Sequence, residues 1–180
     1  DFKIKPNQFL SVGLWYQFTK REIPPLMTSS ESDAEQRDSL LRTFLGYKIL
    51  LKNSVLKLKG AYFREFQYYD DEKQNLAQKY LVNSFLSEAE WRINLHKNII
   101  WNLGAAYTNS EASFEEYSDS QSRIILSAFT GIIYQPFSSW TFNLNIRKEY
   151  TNNQNGPFSP SIGVEGLIVK NILNVFGNVG

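Results

Sequence analysis

Apolar and polar residues alternate one for one over stretch after stretch of this chain, a period that only extended strands with one greasy side can satisfy. Within 8–19 the even positions hold Leu10, Val12, Leu14, Tyr16 and Phe18, and the odd ones hold Ser11, Gly13, Gln17 and Thr19. The pattern returns in Leu41, Thr43, Leu45, Tyr47, Ile49 and Leu51, in Leu56, Leu58 and Tyr62, and in Phe85, Ala89, Trp91 and Ile93. Trp101, Leu103, Ala105 and Tyr107 follow; 124–134 is apolar on both sides; Trp140, Phe142, Leu144 and Ile146 oppose Asn143, Asn145, Arg147 and Glu149. Further strands are expected at 160–168 and from 173 onward. The expected fold class is all-β, an antiparallel up-and-down meander of about eight to nine strands of roughly ten residues.

The connections alternate as well. Short turns fall at 52–54, 95–98, 135–139 and 170–171, and longer polar stretches at 20–39, 69–78, 109–121 and 151–157. In a meander this puts every long connection on one edge, an asymmetry that marks outer-membrane β-barrels. Trp140 and Tyr150 share a face ten positions apart, which at ~3.3 Å per residue and a tilt of ~40° spans roughly 25 Å, the height of an apolar band. Trp101, Tyr107 and Tyr134 would join them where hydrocarbon meets headgroups. With the even positions of 8–19, 56–62, 124–134, 140–150 and 160–168 and the odd positions of the other strands turned to lipid, Arg42, Lys57, Lys59, Glu88, Glu90, Arg92, Arg147 and Glu165 all face a lumen. An Arg or Lys facing lipid at mid-bilayer would cost ~2 to 4 kcal/mol, which sets the orientation. A soluble β-sandwich binding module, an adhesin or carbohydrate-binding domain, also alternates and is the competing reading; it predicts a dry core between two sheets. A small closed barrel enzyme or lipid carrier is a third.

Composition closes off most chemistry. Nineteen Lys and Arg balance 18 Asp and Glu, so nothing marks a nucleic-acid binder. With no Cys and one His, the chain holds no zinc cluster, Cys nucleophile or two-histidine site of its own. No apolar run reaches the roughly 18 residues of a spanning helix. His96 reads as a solvated turn residue. Asp70, Asp71 and Glu72, and Glu115, Glu116 and Asp119, lack EF-hand spacing and read as loop charge rather than a calcium site. Glu88 and Glu90 share a strand face with Arg92, so an ion network outweighs a glycosidase pair. No catalytic residue, metal site or cofactor is therefore assigned. The ligand-contacting candidates lie in the long connections: the apolar island at Pro24, Pro25, Leu26 and Met27, with Tyr69 and Tyr117.

The stretches SVGLWYQFTKREIPPLMTSS, LSEAEWRINLHKNIIWNLGAAYTNSEA and NIRKEYTNNQNGPFSPSIGVEGLIVKNILNVFGNVG together resemble the middle barrel strands of TonB-dependent outer-membrane receptors, especially the vitamin B12 receptor-like branch. PFSPSIGVEG, a turn and LNVFGNVG carry most of the likeness; Phe176 departs from it, standing where a basic lumen residue is common. The resemblance implies a plugged barrel of about 22 strands in the outer membrane of a Gram-negative bacterium. Residues 1–180 would be a partial barrel domain without plug, TonB box or final barrel strand. Its partners would be a scarce nutrient, a corrinoid or an iron chelate, together with outer-membrane lipid, and the TonB complex through the plug. An isolated piece would self-associate through its open edges.

Overall fold

The computed structural model describes residues 2–24, 32–114, 120–152, 154–169 and 173–180. Among them ten antiparallel strands lie in chain order in one open sheet. They are β1 (Phe2–Lys5), β2 (Gln8–Glu22), β3 (Glu35–Leu50), β4 (Ser54–Asp71), β5 (Leu76–His96), β6 (Ile99–Phe114), β7 (Gln121–Phe137), β8 (Trp140–Thr151), β9 (Gln154–Val169) and β10 (Leu173–Val179). Each strand bonds only to its sequence neighbours, leaving β1 and β10 as edges.

Residues directly opposite in a ladder point to the same side, so the register assigns every position to a face. Leu14 stands beside Thr43, Thr43 beside Tyr62, Tyr62 beside Phe85 and Phe85 beside Asn109. Further on, Trp101 stands beside Ile132, Ile132 beside Leu144 and Leu144 beside Ile162. One face therefore collects the even positions of β2, β4, β7, β8 and β9 and the odd positions of β3, β5, β6 and β10, as expected from the alternation.

That face carries an uncharged band. No Asp, Glu, Lys or Arg occupies it from Leu10 to Phe18 in β2, from Ser39 to Ile49 in β3, from Leu56 to Tyr62 in β4, or from Leu81 to Leu95 in β5. The same holds from Trp101 to Asn109, from Ile124 to Tyr134 and from Trp140 to Ile146. Its charges in β2 to β8 (Lys20, Glu22, Glu35, Arg37, Arg64, Asp70, Lys79, Glu111 and Lys148) all lie toward the end bearing connections 23–34, 72–75, 115–120 and 152–153, here called the loop end, while Lys5 of β1, opposite Gln8, stands at the other end. The other face mixes charges with rings and small residues over its full height.

Among the described residues no second layer covers the sheet. Ala34 is the sole buried apolar residue among those described, while Leu14, Trp15, Tyr16 and Phe18 are all more than half exposed. This overturns the sandwich expectation, which needs two sheets enclosing a dry core, and the small closed barrel, since β1 and β10 do not pair. Rings instead lie over glycines of neighbouring strands. A Cβ on Gly13 would collide with the Phe44 ring, and one on Gly166 with the Trp140 ring. On the uncharged face Trp140 stacks on Phe142 at 6.2 Å, and the Trp101 Nε1–H donates to Thr130 Oγ1 at 2.8 Å, satisfying the one polar atom of that indole.

Two sequence expectations about extent need correcting. β1 adds a tenth strand: Pro6 ends its short run, too brief to show a period. The strands also exceed ten residues, reaching 18 in β4 and 21 in β5, because alternation persists through polar side chains that were read as loop. The stretch 69–78 is mostly ladder, closed by a single 3-10 turn, Glu72–Gln74, with Asp71 at its start and Asn75 in the left-handed conformation (φ 51°) at its end. Asn is among the few residues that adopt that conformation cheaply.

Candidate functional site

The eight charges expected on one side share the face opposite the uncharged band. Register then pairs most of them across strands. Lys57 Nζ lies 3.2 Å from Glu90 Oε2 and Lys59 Nζ 2.7 Å from Glu88 Oε1, each pair directly opposite in the β4–β5 ladder. Arg42 lies 3.5 Å from Glu65 and stacks over the Phe63 ring at 5.6 Å. Arg147 meets Glu149 at 2.8 Å and donates to Ser127 Oγ at 3.2 Å. Glu88 and Glu90 are thus engaged by lysines rather than by Arg92, which stands opposite Val55 and Asn102. Glu165 lies between Thr141 and Phe176, so Phe176 occupies this face as well.

Nearer the loop end the same face changes character. Two adjacent rows of directly opposed residues cross it: Arg21, Gln36, Tyr69 and Gln78, then Thr19, Asp38, Gln67, Tyr80 and Phe114. The Tyr80 and Phe114 rings meet edge-on at 5.4 Å. Tyr80 donates its hydroxyl to Gln78 Oε1 at 2.6 Å, and Gln36 Nε2 donates to Asp38 Oδ1 at 2.8 Å. Arg21 lies 3.5 Å from Asp38, which neutralises its charge. A shallow cleft of about 330 Å³ opens here, lined by Arg21, Gln36, Asp38, Gln67 and Tyr80 among others. Rings flanked by amides offer a stacking surface with donors and acceptors at fixed positions, the make-up of a small-molecule wall.

At the loop end itself the chain is latched. Asp71, 1% exposed, accepts from Ser32 Oγ at 2.8 Å and from the backbone N–H groups of Asp33 at 3.4 Å and Gln74 at 3.3 Å. Lys73 pairs with Asp33 at 2.9 Å across the same junction. Burial alone would raise the Asp71 pKa; the bonds from Ser32, Asp33, Gln74 and the Lys73 backbone outweigh it and hold the carboxyl below its ordinary value. Glu35, above the uncharged band, is lowered by hydrogen bonds from Lys20 and Arg37. Asp71, read from sequence as solvated loop charge, is therefore the tie between connection 23–34 and the β4–β5 turn.

Of the ligand-contacting candidates, Pro24 is exposed and borders a cavity of about 540 Å³ together with Ile23 and residues 32–35. Tyr69 is not in a loop: it sits within β4 on the charged face, because the ladder runs on to Asp71. Pro25, Leu26, Met27 and Tyr117 lie outside the described residues. Arg21, Gln36, Gln67, Tyr80 and Phe114 were passed over in the sequence. Part of their signal was the alternation of Gln67, Tyr69 and Asp71 with Tyr68 and Asp70, which runs on into the stretch 69–78 taken for a loop.

With this geometry the chain matches part of the siderophore receptor PirA from Pseudomonas aeruginosa at a TM-score of 0.75 and 10% identity, over 98% of this chain and 30% of that one. The fold is that of a stretch of this receptor. A second match is to a chain in the structure of the FpvAI–pyocin S2 complex, at a TM-score of 0.63 and 11% identity, over 94% of this chain and 33% of that one. This chain spans about a third of the length of either structure. No protein-family model and no curated protein matches the sequence.

Proposed function

We propose that this chain is part of the barrel wall of a TonB-dependent receptor in a bacterial outer membrane, with the uncharged face toward lipid and the charged face toward the lumen and plug. The uncharged band carries this reading. It covers seven to eleven residues in six strands and 15 in β5; seven to eleven residues span roughly 18–28 Å at a tilt of ~40°, a range that brackets the height of an outer-membrane apolar girdle. Lys57–Glu90 and Lys59–Glu88 then line the lumen as satisfied pairs. The function is capture and passage of a scarce nutrient by binding, without covalent chemistry, driven through a plug.

The nutrient is a corrinoid in preference to an iron chelate. The wall near the loop end joins Tyr69, Tyr80 and Phe114 to three glutamines, and its Arg21 is neutralised by Asp38. That suits a bulky ligand rimmed with neutral amides better than an anionic chelate, which would call for unpaired cations. The test is equilibrium binding of cobalamin and of ferric chelates to the complete receptor in detergent. Cobalamin is expected to bind, and Tyr69→Ala and Tyr80→Ala each to weaken it by about tenfold, the loss of one stacking contact. Binding of a chelate with indifference to cobalamin would overturn the corrinoid assignment. Failure of the receptor to fractionate with outer membranes would overturn the barrel itself.

A further inference from the structure

The charged face is not balanced along its height. At the end away from the loop end, which bears connections 51–53 and 97–98, one row of directly opposed residues runs Lys3, Phe9, Lys48, Lys57 and Glu90 across five strands. Arg92 stands two positions beyond Glu90 on the same side, opposite Val55 and Asn102. Glu90 is held by Lys57 at 3.2 Å and Glu88 by Lys59 at 2.7 Å, and these are the two acids that β1 to β6 place on this half of the face. Five cations (Lys3, Lys48, Lys57, Lys59 and Arg92) therefore meet two acids, and Lys52 and Lys97 add two more in the connections, which hold no acid. Of the described acids on neighbouring strands, Glu149 is three strands from β5 and paired with Arg147, and Glu165 is four strands away with an interaction of its own. Asp1, next to Lys3, lies outside the described residues; Lys48 and Arg92 carry the excess without Lys3. Both are exposed, and Lys48 has the Phe9 ring at 6.0 Å.

Like charges set directly opposite each other destabilise a ladder, yet Lys48 and Lys57 are so placed, and with Arg92 they share a single acid, Glu90. The strip lies ten to twelve residues down β5 from Tyr80, about 25–30 Å at a tilt of ~40°, which puts it out of reach of a ligand held on the wall of rings and amides. Charge of one sign along a low-dielectric wall concentrates its field on whatever fills the space beside it. A nutrient rimmed with neutral amides does not complement such a strip, whereas a protein domain inside the lumen can answer it with fixed carboxylates. We propose that Lys48 and Arg92, with Lys57 between them, form a basic docking strip for an acidic surface of the receptor's plug. This rests on the barrel reading above, which turns this face to the lumen.

The test treats the complete receptor, in detergent, with a water-soluble carbodiimide, which activates a carboxylate so that a lysine amine in contact with it forms an amide, the carbodiimide leaving as its urea. Mass spectrometry of the digest is expected to find Lys57 joined to Glu90, Lys59 to Glu88, and Lys48 to an Asp or Glu of the plug; in Arg92→Lys the new amine should be joined to the plug as well. An exposed ion pair is worth up to about fivefold, so Lys48→Gln with Arg92→Gln should speed the release of the plug to protease in urea about fivefold to 25-fold at low salt, with the difference fading at about 1 M. Lys5→Gln with Arg64→Gln, two cations removed from the opposite face, should change it less than twofold. Heat-modifiable mobility on gels confirms that each variant is folded. Lys48 joined to Glu90 alone, or left unjoined while the Lys57 and Lys59 links form, overturns the docking strip and leaves the barrel intact, as does equal release by the two double variants. A receptor that does not fractionate with outer membranes overturns both.

Discussion

The two faces of this sheet are made by the same ten strands, yet they obey different rules. On one, charge is excluded from a band and tolerated only beyond it; on the other, charge is admitted at every height and is often answered by a neighbouring strand. Lys57–Glu90 and Lys59–Glu88 illustrate the second rule, and Trp101–Thr130, a polar atom matched inside the uncharged band, illustrates the first. Because side chains alternate with a period of two, a single step along a strand passes from one rule to the other. The difference teaches that solvent identity, more than packing, selects the residues of this wall.

The sharpest way to break the comparison is to place the same charge one residue apart. Leu144→Arg, in the middle of the band, should cost ~2 to 4 kcal/mol in unfolding from vesicles by denaturant, whereas Asn145→Arg on the other face should cost less than ~1 kcal/mol. Equal costs would mean that both faces meet water. Next in size, Trp101→Phe removes the indole donor to Thr130 and should lose ~1 kcal/mol in the same measurement, the net worth of a hydrogen bond. Smaller again, Lys59→Met with Glu88→Gln should shift stability by only ~0.2 to 1 kcal/mol, because both side chains are more than a third exposed.

The smallest global effect belongs to the loop end, where acid should act locally. Asp71 and Glu35 have lowered pKa values when folded, so their stabilisation is full above the ordinary carboxylate range near ~4 and fades as pH falls through their folded values. Protection of the Asp33 and Gln74 amides against hydrogen exchange, taken relative to the free-peptide rate at each pH, should therefore fall on acidification below that range. In Asp71→Asn exchange at these amides should already be fast at neutral pH, with the acid response lost.

The faces were legible from the alternation itself, since one register sends Arg42, Lys57, Glu88 and Arg147 to the same side. Strand ends were not legible. Hydrogen-bonded ladders continue past the end of an apolar period as readily as within it, so Tyr69 and Gln78 keep strand geometry without such a period to announce it. That concealed the wall of Tyr69, Tyr80 and Phe114, whose members come from three strands and meet only through register. Asp71 was hidden for a related reason: its partners, Ser32 and Asp33, lie nearly 40 positions away.

A wall one residue thick has no interior to hold its sequence in place. Most positions answer to a ladder partner and to whatever medium lies on their own side, so substitutions need not be compensated through a shared core. Such a fold can keep one shape under very different sequences, and a TM-score of 0.75 at 10% identity is an instance.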